Sequence, residues 1–282
     1  MRFTKMQAAG NDFILVEAGI ESMDWSCLAK EMCHRRFGIG ADGLILVMPS
    51  QRADSEMRIF NADGSEAEAC GNGIRCFTRY VAERGLVPAG KEELNLGTLA
   101  GVSRARIYYQ SGRLSKIEVS MGMPEFSPPR IPVDVPDKKL DIIMDYPLVI
   151  NNQELRLNCA SMGNPHAVYF ISRPVADFPL DKLGPIMENH PMFPKRVNFE
   201  VARVIDRATV EARVWERGVG ETLACGTGAC AIMATAQRRG MVGNRVGVSL
   251  PGGTLDVAWD GYGDVLLAGP AETVFTGEWP ES

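Results

Sequence analysis

The stretch Glu66-Ala67-Glu68-Ala69-Cys70-Gly71-Asn72-Gly73 returns later in the chain as Glu221-Thr222-Leu223-Ala224-Cys225-Gly226-Thr227-Gly228. Glu, Ala, Cys and both Gly residues keep their places. Each copy precedes a run of apolar residues at helical spacing. After Cys70 these are Ile74, Phe77, Tyr80 and Val81, stopped by Gly85. After Cys225 the segment Gly228 to Arg239 is apolar nearly all round, the pattern of a helix buried on every side. Each cysteine is therefore expected at the mouth of a buried helix, and the repetition argues for two similar halves.

Working outward, extended segments are predicted at Phe3 to Gln7 and Phe13 to Glu17, around the turn residues Gly10-Asn11-Asp12. Trp25 to Phe37 reads as an amphipathic helix with Asp24 as N-cap and Gly38 as its stop. Strands follow at 43–48, 56–61, 93–99, 102–110 and 113–120. The proline-rich stretch from Pro124 to Pro136 is the best domain boundary. The second half repeats the plan, with strands at 146–157, 166–171, 198–204 and 209–215 and a helix near Asp181 to Glu188. Strands at 245–250, 254–259 and 265–268 complete it, and a closing strand at 272–276 is expected to return to the first domain. The expected fold is α/β (α+β), two pseudo-symmetric domains, each a mainly antiparallel sheet or barrel around a central helix. The expected boundaries are 1–121 with the returning segment 271–282, and 122–270, with the active site in the cleft between them.

Composition narrows the class. In 282 residues, 45% are hydrophobic and 23% charged, a globular balance, and the formal charge of −5 with scattered arginines gives no basic surface for nucleic acid. No stretch approaches a membrane span and no signal peptide is recognisable, so a cytoplasmic protein is expected. Seven cysteines, an odd number, suit a reducing compartment better than a disulfide scaffold. The spacings Cys70 to Cys76 and Cys225 to Cys230 miss the zinc-knuckle pattern, and only His34, His166 and His190 are at hand, so no metal is expected. Cys27, Cys33, Cys76, Cys159 and Cys230 read as small packing residues.

A thiol at a helix N-terminus is favoured as thiolate, so Cys70 and Cys225 are both expected to be partly ionised near neutral pH. The backbone N–H groups of Gly71-Asn72-Gly73 and Gly226-Thr227-Gly228 suit a carboxylate. They also lie where negative charge grows when the α-proton of a carboxylic acid is removed. A single such loop reads as a glycine turn before a helix. A pair suggests an acid and a base working on opposite faces of one carbon, the requirement for inverting a stereocentre.

Further motifs extend the pattern: Gly10-Asn11-Asp12-Phe13, Gly38-Ile39-Gly40-Ala41-Asp42-Gly43, Phe60-Asn61-Ala62-Asp63-Gly64-Ser65, Cys70-Gly71-Asn72-Gly73-Ile74-Arg75-Cys76, Gly163-Asn164-Pro165-His166, Val197-Asn198 and Trp215-Glu216-Arg217-Gly218. With these the chain resembles the diaminopimelate epimerases over nearly its full length. The resemblance implies a cofactor-independent enzyme, without pyridoxal phosphate, that interconverts LL- and meso-diaminopimelate. It implies Cys70 and Cys225 as acid and base, and His166 and Glu216 as the groups tuning them. Asn11, Asn61, Asn164 and Asn198 would contact substrate, Arg217 would grip its distal carboxylate, and Glu216 could also meet the distal ammonium. A homodimer is implied as well.

Two positions depart from common family patterns: Gln7-Ala8-Ala9 precedes Gly10 in place of His-Gly-Leu, and Gly43 stands where some members carry a substrate-contacting glutamine. Other readings remain in view: a racemase of another amino acid, a cysteine hydrolase pairing Cys70 with His166, or an amino-acid binding protein. Loss of either cysteine separates them, since an epimerase tolerates neither loss.

Overall fold

Short, β-rich segments broken by glycine and asparagine turns pair into sheets, and two apolar segments fold as helices that those sheets enclose. The computed structural model describes residues 1–19, 23–67 and 70–280, so Glu68 and Ala69 of the first cysteine motif lie outside the described residues, as do the last two residues of the chain. The chain divides into two compact units, Met1–Ser120 with Ala268–Ser282, and Met121–Leu267.

The first unit begins with β1 (Arg2–Ala8) and β2 (Asn11–Glu17), an antiparallel hairpin. Its turn places Ala9 at φ 52° and Gly10 at φ 83°, and the Gln7 side chain closes it by accepting from the Gly10 N–H at 3.0 Å. Helix α1 (Trp25–Cys33) crosses over to β3 (Gly43–Met48), which lies parallel to β2. The helix is shorter than its periodicity predicts. His34 turns extended at φ −62° and ψ 116°, and its Nδ1 accepts from the N–H groups of Arg36 and Phe37. Gly38 then folds back on the helix end, where a Cβ would lie 2.1 Å from the Glu31 carbonyl oxygen.

β4 (Ser55–Asn61) and the two-residue β5 (Glu66–Ala67) lead to α2 (Gly71–Glu83). β6 (Glu93–Thr98) runs parallel to β4, and β7 (Gly101–Gln110) and β8 (Arg113–Ser120) follow as antiparallel neighbours. α2 touches β1, β2, β3, β4, β7 and β8, so it is the central helix of this unit. Gly43 belongs to this packing: a Cβ there would come within 2.9 Å of the Phe60 carbonyl oxygen.

In the second unit β9 (Tyr146–Ile150) and β10 (Gln153–Ser161) form a hairpin where the sequence reads as one strand over 146–157. The break is Asn151-Asn152, both left-handed at φ 51° and 62°, the conformation a two-residue hairpin turn demands and asparagine tolerates. β11 (Pro165–Phe170), α3 (Leu180–Glu188) and β12 (Asn198–Asp206) form a second parallel crossover. β13 (Thr209–Glu216), the short β14 (Gly220–Thr222) and α4 (Gly226–Arg238) follow, then β15 (Arg245–Leu250), parallel to β13, and β16 (Gly253–Ala258). α4 touches β10, β11, β12, β15 and β16 and is buried along its length.

β17 (Leu266–Gly269) and β18 (Glu272–Glu278) end the chain, and β18 pairs antiparallel with β1 from Arg2↔Glu278 to Gln7↔Glu272. The units thus share a mixed, mainly antiparallel plan with one central helix each. Phe60↔Glu66 in the first has its counterpart in Trp215↔Glu221 in the second. Both pairs are displaced by the interval that separates Cys70 from Cys225. α2 and α4 are both 13 residues long and start at that same displacement. The duplication therefore runs well beyond the octapeptide visible in sequence. Among the described residues no helix is long and apolar enough to cross a membrane.

Candidate active site

Each cysteine is the N-cap of its unit's central helix, in extended backbone at φ −146° for Cys70 and −122° for Cys225. Gly71 and Gly226 open the helices, so the first-turn N–H groups of both loops stand at a helix N-terminus, where anions are favoured.

Around Cys70 the groups are polar and ordered. Its Sγ lies 3.7 Å from Asn11 Oδ1, an acceptor. That oxygen also accepts from Asn72 Nδ2 at 3.3 Å. Asn11 is held in this orientation because its Nδ2 donates to Asp42 Oδ2 at 2.6 Å. Behind Asp42 stands an ion network: Arg35 donates to Asp12 and Asp42, and Lys5 pairs with Asp12 at 2.7 Å. Burial opposes ionisation of Asp12, but hydrogen bonds from Arg35 and Lys5 outweigh it and bring its pKa down to about 2. Below the loop, the fully buried Arg75 donates to Gly71 O and Asn72 Oδ1. Asn61 Nδ2 donates to Ser65 Oγ at 3.0 Å.

Around Cys225 the order is different. The thiol is buried and accepts from the Gly228 N–H at 3.4 Å, with Thr227 Oγ1 also at 3.4 Å. Thr227 accepts from Asn164 Nδ2 at 3.3 Å. Asn164 Oδ1 faces His166 Nε2 at 2.9 Å, and His166 Nδ1 lies 2.6 Å from Glu200 Oε1. His166 and Glu200 are both wholly buried. The expectation of a partly ionised Cys225 is corrected here: burial, and then the Glu216 carboxylate, push its pKa well above the ordinary thiol value. The Thr227 and Gly228 hydrogen bonds work in the opposite direction and do not overcome them.

Glu216 accepts from Thr222 Oγ1 at 2.5 Å. Asn198 Oδ1 accepts from the Arg217 N–H at 2.9 Å and its Nδ2 donates to Pro165 O at 3.0 Å, while Arg217 donates to Lys195 O at 2.8 Å. This loop is also tied to α3. Glu188 accepts from Trp215 Nε1, Arg196 and the Gly218 N–H, at 2.8, 3.0 and 2.8 Å. A Cβ on Gly184 would come within 2.4 Å of the Trp215 ring, so the helix and the ring are in direct contact.

The geometry thus gathers Asn11, Cys70, Gly71 and Asn72 in one unit. In the other it gathers Asn164, His166, Cys225, Gly226 and Thr227, with Asn198, Glu216 and Arg217 as a second group on neighbouring strands. Glu200 is the residue the sequence reading missed. Its signal is a lone carboxylate between Phe199 and Val201, in a strand whose first five residues are all buried. Of the cysteines read as packing residues, Cys33, Cys76, Cys159 and Cys230 are buried, whereas Cys27 is exposed beside Glu31. Among the described residues no group of three His, Cys, Asp or Glu side chains is placed to hold a metal ion.

The fold is that of the proline racemase and PhzF group of proteins. It matches a probable proline racemase from Agrobacterium radiobacter, solved with bound carbonate, with TM-score 0.71 at 16% identity over 100% of this chain and 93% of that one. It matches a hydroxyproline epimerase from Agrobacterium vitis with TM-score 0.69 at 18% identity, over 98% and 91%. Sequence narrows this to one family. The diaminopimelate epimerase profile matches residues 3–127 and 158–274. The diaminopimelate epimerases of Acetivibrio thermocellus and Moorella thermoacetica are 48% and 47% identical to the chain, over 99% of it and 98% and 99% of their own lengths. The chain belongs to the diaminopimelate epimerase family.

Proposed function

We propose that the chain interconverts LL- and meso-2,6-diaminopimelate in the biosynthesis of lysine and peptidoglycan precursors, by a two-base reaction that uses neither pyridoxal phosphate nor metal. What supports this most is the repeated placement of a cysteine at the head of two equivalent buried helices, in a chain of this family.

In this reading one thiolate removes the α-proton and the other cysteine's thiol delivers a proton to the opposite face. Cys70 and Cys225 exchange these roles with the direction of reaction. The N–H groups of Gly71, Asn72, Gly226 and Thr227 hold the α-carboxylate and take up the charge that develops as it becomes enediolate-like. Because the same donors bind and stabilise, their effect grows toward the transition state. Arg217 takes the distal carboxylate through its planar fork, Asn61 and Asn198 serve as further substrate binders, and Glu216 meets the distal ammonium. Asn11 and Asn164 complete the polar lining, and His166 and Glu216 tune the thiols. The distal group separates this reading from a proline-type racemase, whose substrate has no second amino-acid end.

The chain is read as a cytoplasmic homodimer, which light scattering at micromolar concentration would check. The chemistry is tested in deuterated water: LL-diaminopimelate should lose its α-proton NMR signal as meso product forms, and proline and glutamate should not exchange. Absence of exchange with diaminopimelate sinks the reading.

A further inference from the structure

Glu200 is a buried carboxylate with no place in the mechanism above, yet it lies within reach of two groups that have one. Its Oε1 is 2.6 Å from His166 Nδ1. The same oxygen would stand 3.0 Å from a Cβ on Gly228, the last residue of the cysteine motif. Its Oε2 is buried and makes no hydrogen bond among the described residues. An ionised carboxylate so placed is costly, and burial raises the Glu200 pKa even though His166 draws it down.

From Glu200 an unbroken series of contacts runs through His166, Asn164 and Thr227 to the Cys225 sulfur. With a neutral His166 ring, such a series runs in one of two directions. With Glu200 protonated, its O–H donates to His166 Nδ1, Nε2–H donates to Asn164 Oδ1, Asn164 Nδ2–H donates to Thr227, and the Thr227 O–H donates to sulfur. Cys225 then receives two donors, Thr227 and the Gly228 N–H, and is held as the base. With Glu200 ionised and His166 neutral, every arrow reverses. His166 Nδ1–H donates to Glu200, the Asn164 amide turns over, the Thr227 O–H donates to Asn164, and the Cys225 S–H donates to Thr227. The thiol is then held as the acid. Both arrangements carry the same net charge, one proton having its place at Glu200 in the first and at Cys225 in the second.

We propose that Glu200 is a positioning residue of this epimerase site, deciding through His166, Asn164 and Thr227 whether a hydrogen-bond donor or an acceptor faces the Cys225 sulfur. The inference rests on the function proposed above and adds a residue to it. The titratable groups facing Glu200 are His166 on β11, Glu216 on β13, Cys225 at the head of α4 and Cys159 on β10. Of these, only His166 touches its carboxylate in a hydrogen bond. At the corresponding strand position of the first unit stands Ile45, whose Cδ1 is 3.3 Å from a Cβ built on Gly73, with Ile59 Cδ1 at 3.1 Å.

The test compares the full-length chain with its Glu200→Gln variant. In the unsubstituted protein, ¹⁵N NMR of the His166 ring should show both the Nε2–H and the Nδ1–H tautomers, because the two arrangements hold the same number of protons. In Glu200→Gln the side-chain amide donates permanently to Nδ1, so the Nε2–H tautomer alone should be seen. Alkylation of Cys225 at neutral pH, followed by peptide mass spectrometry, should be about tenfold faster in the variant, the effect of lowering a thiol pKa by about one unit. The variant's kcat should fall while KM changes little, a split that general loosening of the fold would not produce. A single His166 tautomer across the pH range in the unsubstituted protein, or an unchanged alkylation rate in Glu200→Gln, overturns the proposal. If the variant does not fold, the tautomers seen in the unsubstituted protein still decide. Neither measurement needs substrate, so failure of the epimerase reading in the exchange assay is distinguishable from failure here.

Discussion

The two cysteine loops share a backbone and differ in nearly everything that faces the sulfur. Cys70 is partly exposed and looks at an acceptor, Asn11 Oδ1, fixed by Asp42. Cys225 is buried and looks at a donor, the Gly228 N–H, and at the Thr227 hydroxyl, which can donate or accept. Beneath the glycines the difference continues. The first unit sets Ile45 under Gly73 and a buried cation, Arg75, in its helix. The second sets Glu200 under Gly228, and Cys230 where the helix of the first carries Arg75. A duplicated scaffold has thus kept the position of the thiol while exchanging the charge that surrounds it. In the two-base reading proposed above one sulfur acts as base while the other acts as acid, and a difference of this kind would serve that division.

The comparison can be broken at several points. The largest effect should come from removing either sulfur: Cys70→Ala and Cys225→Ala should each lower kcat by about 10²–10⁴-fold, the usual contribution of a positioned acid or base. Assay in both directions checks this, and substantial activity in one variant would show the pair to be unequal partners. Next, Ile45→Glu would place a carboxylate under Gly73 with no histidine to receive it. It should cost about 3–5 kcal/mol as an unpaired buried charge, read from the urea midpoint.

A smaller effect is expected from Asp42→Ala, which frees Asn11 and with it the acceptor facing Cys70. kcat should fall about three- to tenfold, the scale of one lost hydrogen bond, with the melting temperature measured alongside. The smallest is a pH effect on stability. Asp12 has a folded pKa depressed from 3.8 to about 2. Its stabilisation is therefore present above pH 3.8 and is lost as pH falls from there toward 2. Arg35→Ala should lower stability at neutral pH and flatten the acid limb of a denaturation curve in that window, so that the two proteins converge toward pH 2.

Much of the architecture was legible because it is written in periodicity and punctuation. The two buried helices, their glycine stops and the strands around them follow from which residues are apolar and at what spacing. What escaped was decided by contacts across the fold. The Asn151-Asn152 turn needs two consecutive left-handed residues, and either asparagine alone reads as part of a strand. The early end of α1 depends on the His34 ring capping its own turn. The state of Cys225 was misjudged because a helix N-terminus is visible in sequence, whereas burial beside Glu216 and Glu200 is not. Glu200 hid for the same reason, its importance lying in the histidine of the neighbouring parallel strand.

The attachment of the Arg217 loop to α3 carries a lesson for engineering. Glu188 grips Trp215, Arg196 and the Gly218 backbone at once, and Gly184 leaves no room for any side chain against the indole. Loop and helix therefore form one transplantable cassette. A chimera that imports the arginine loop of a relative with another substrate preference must bring that relative's helix with it, or the graft will arrive without its mount.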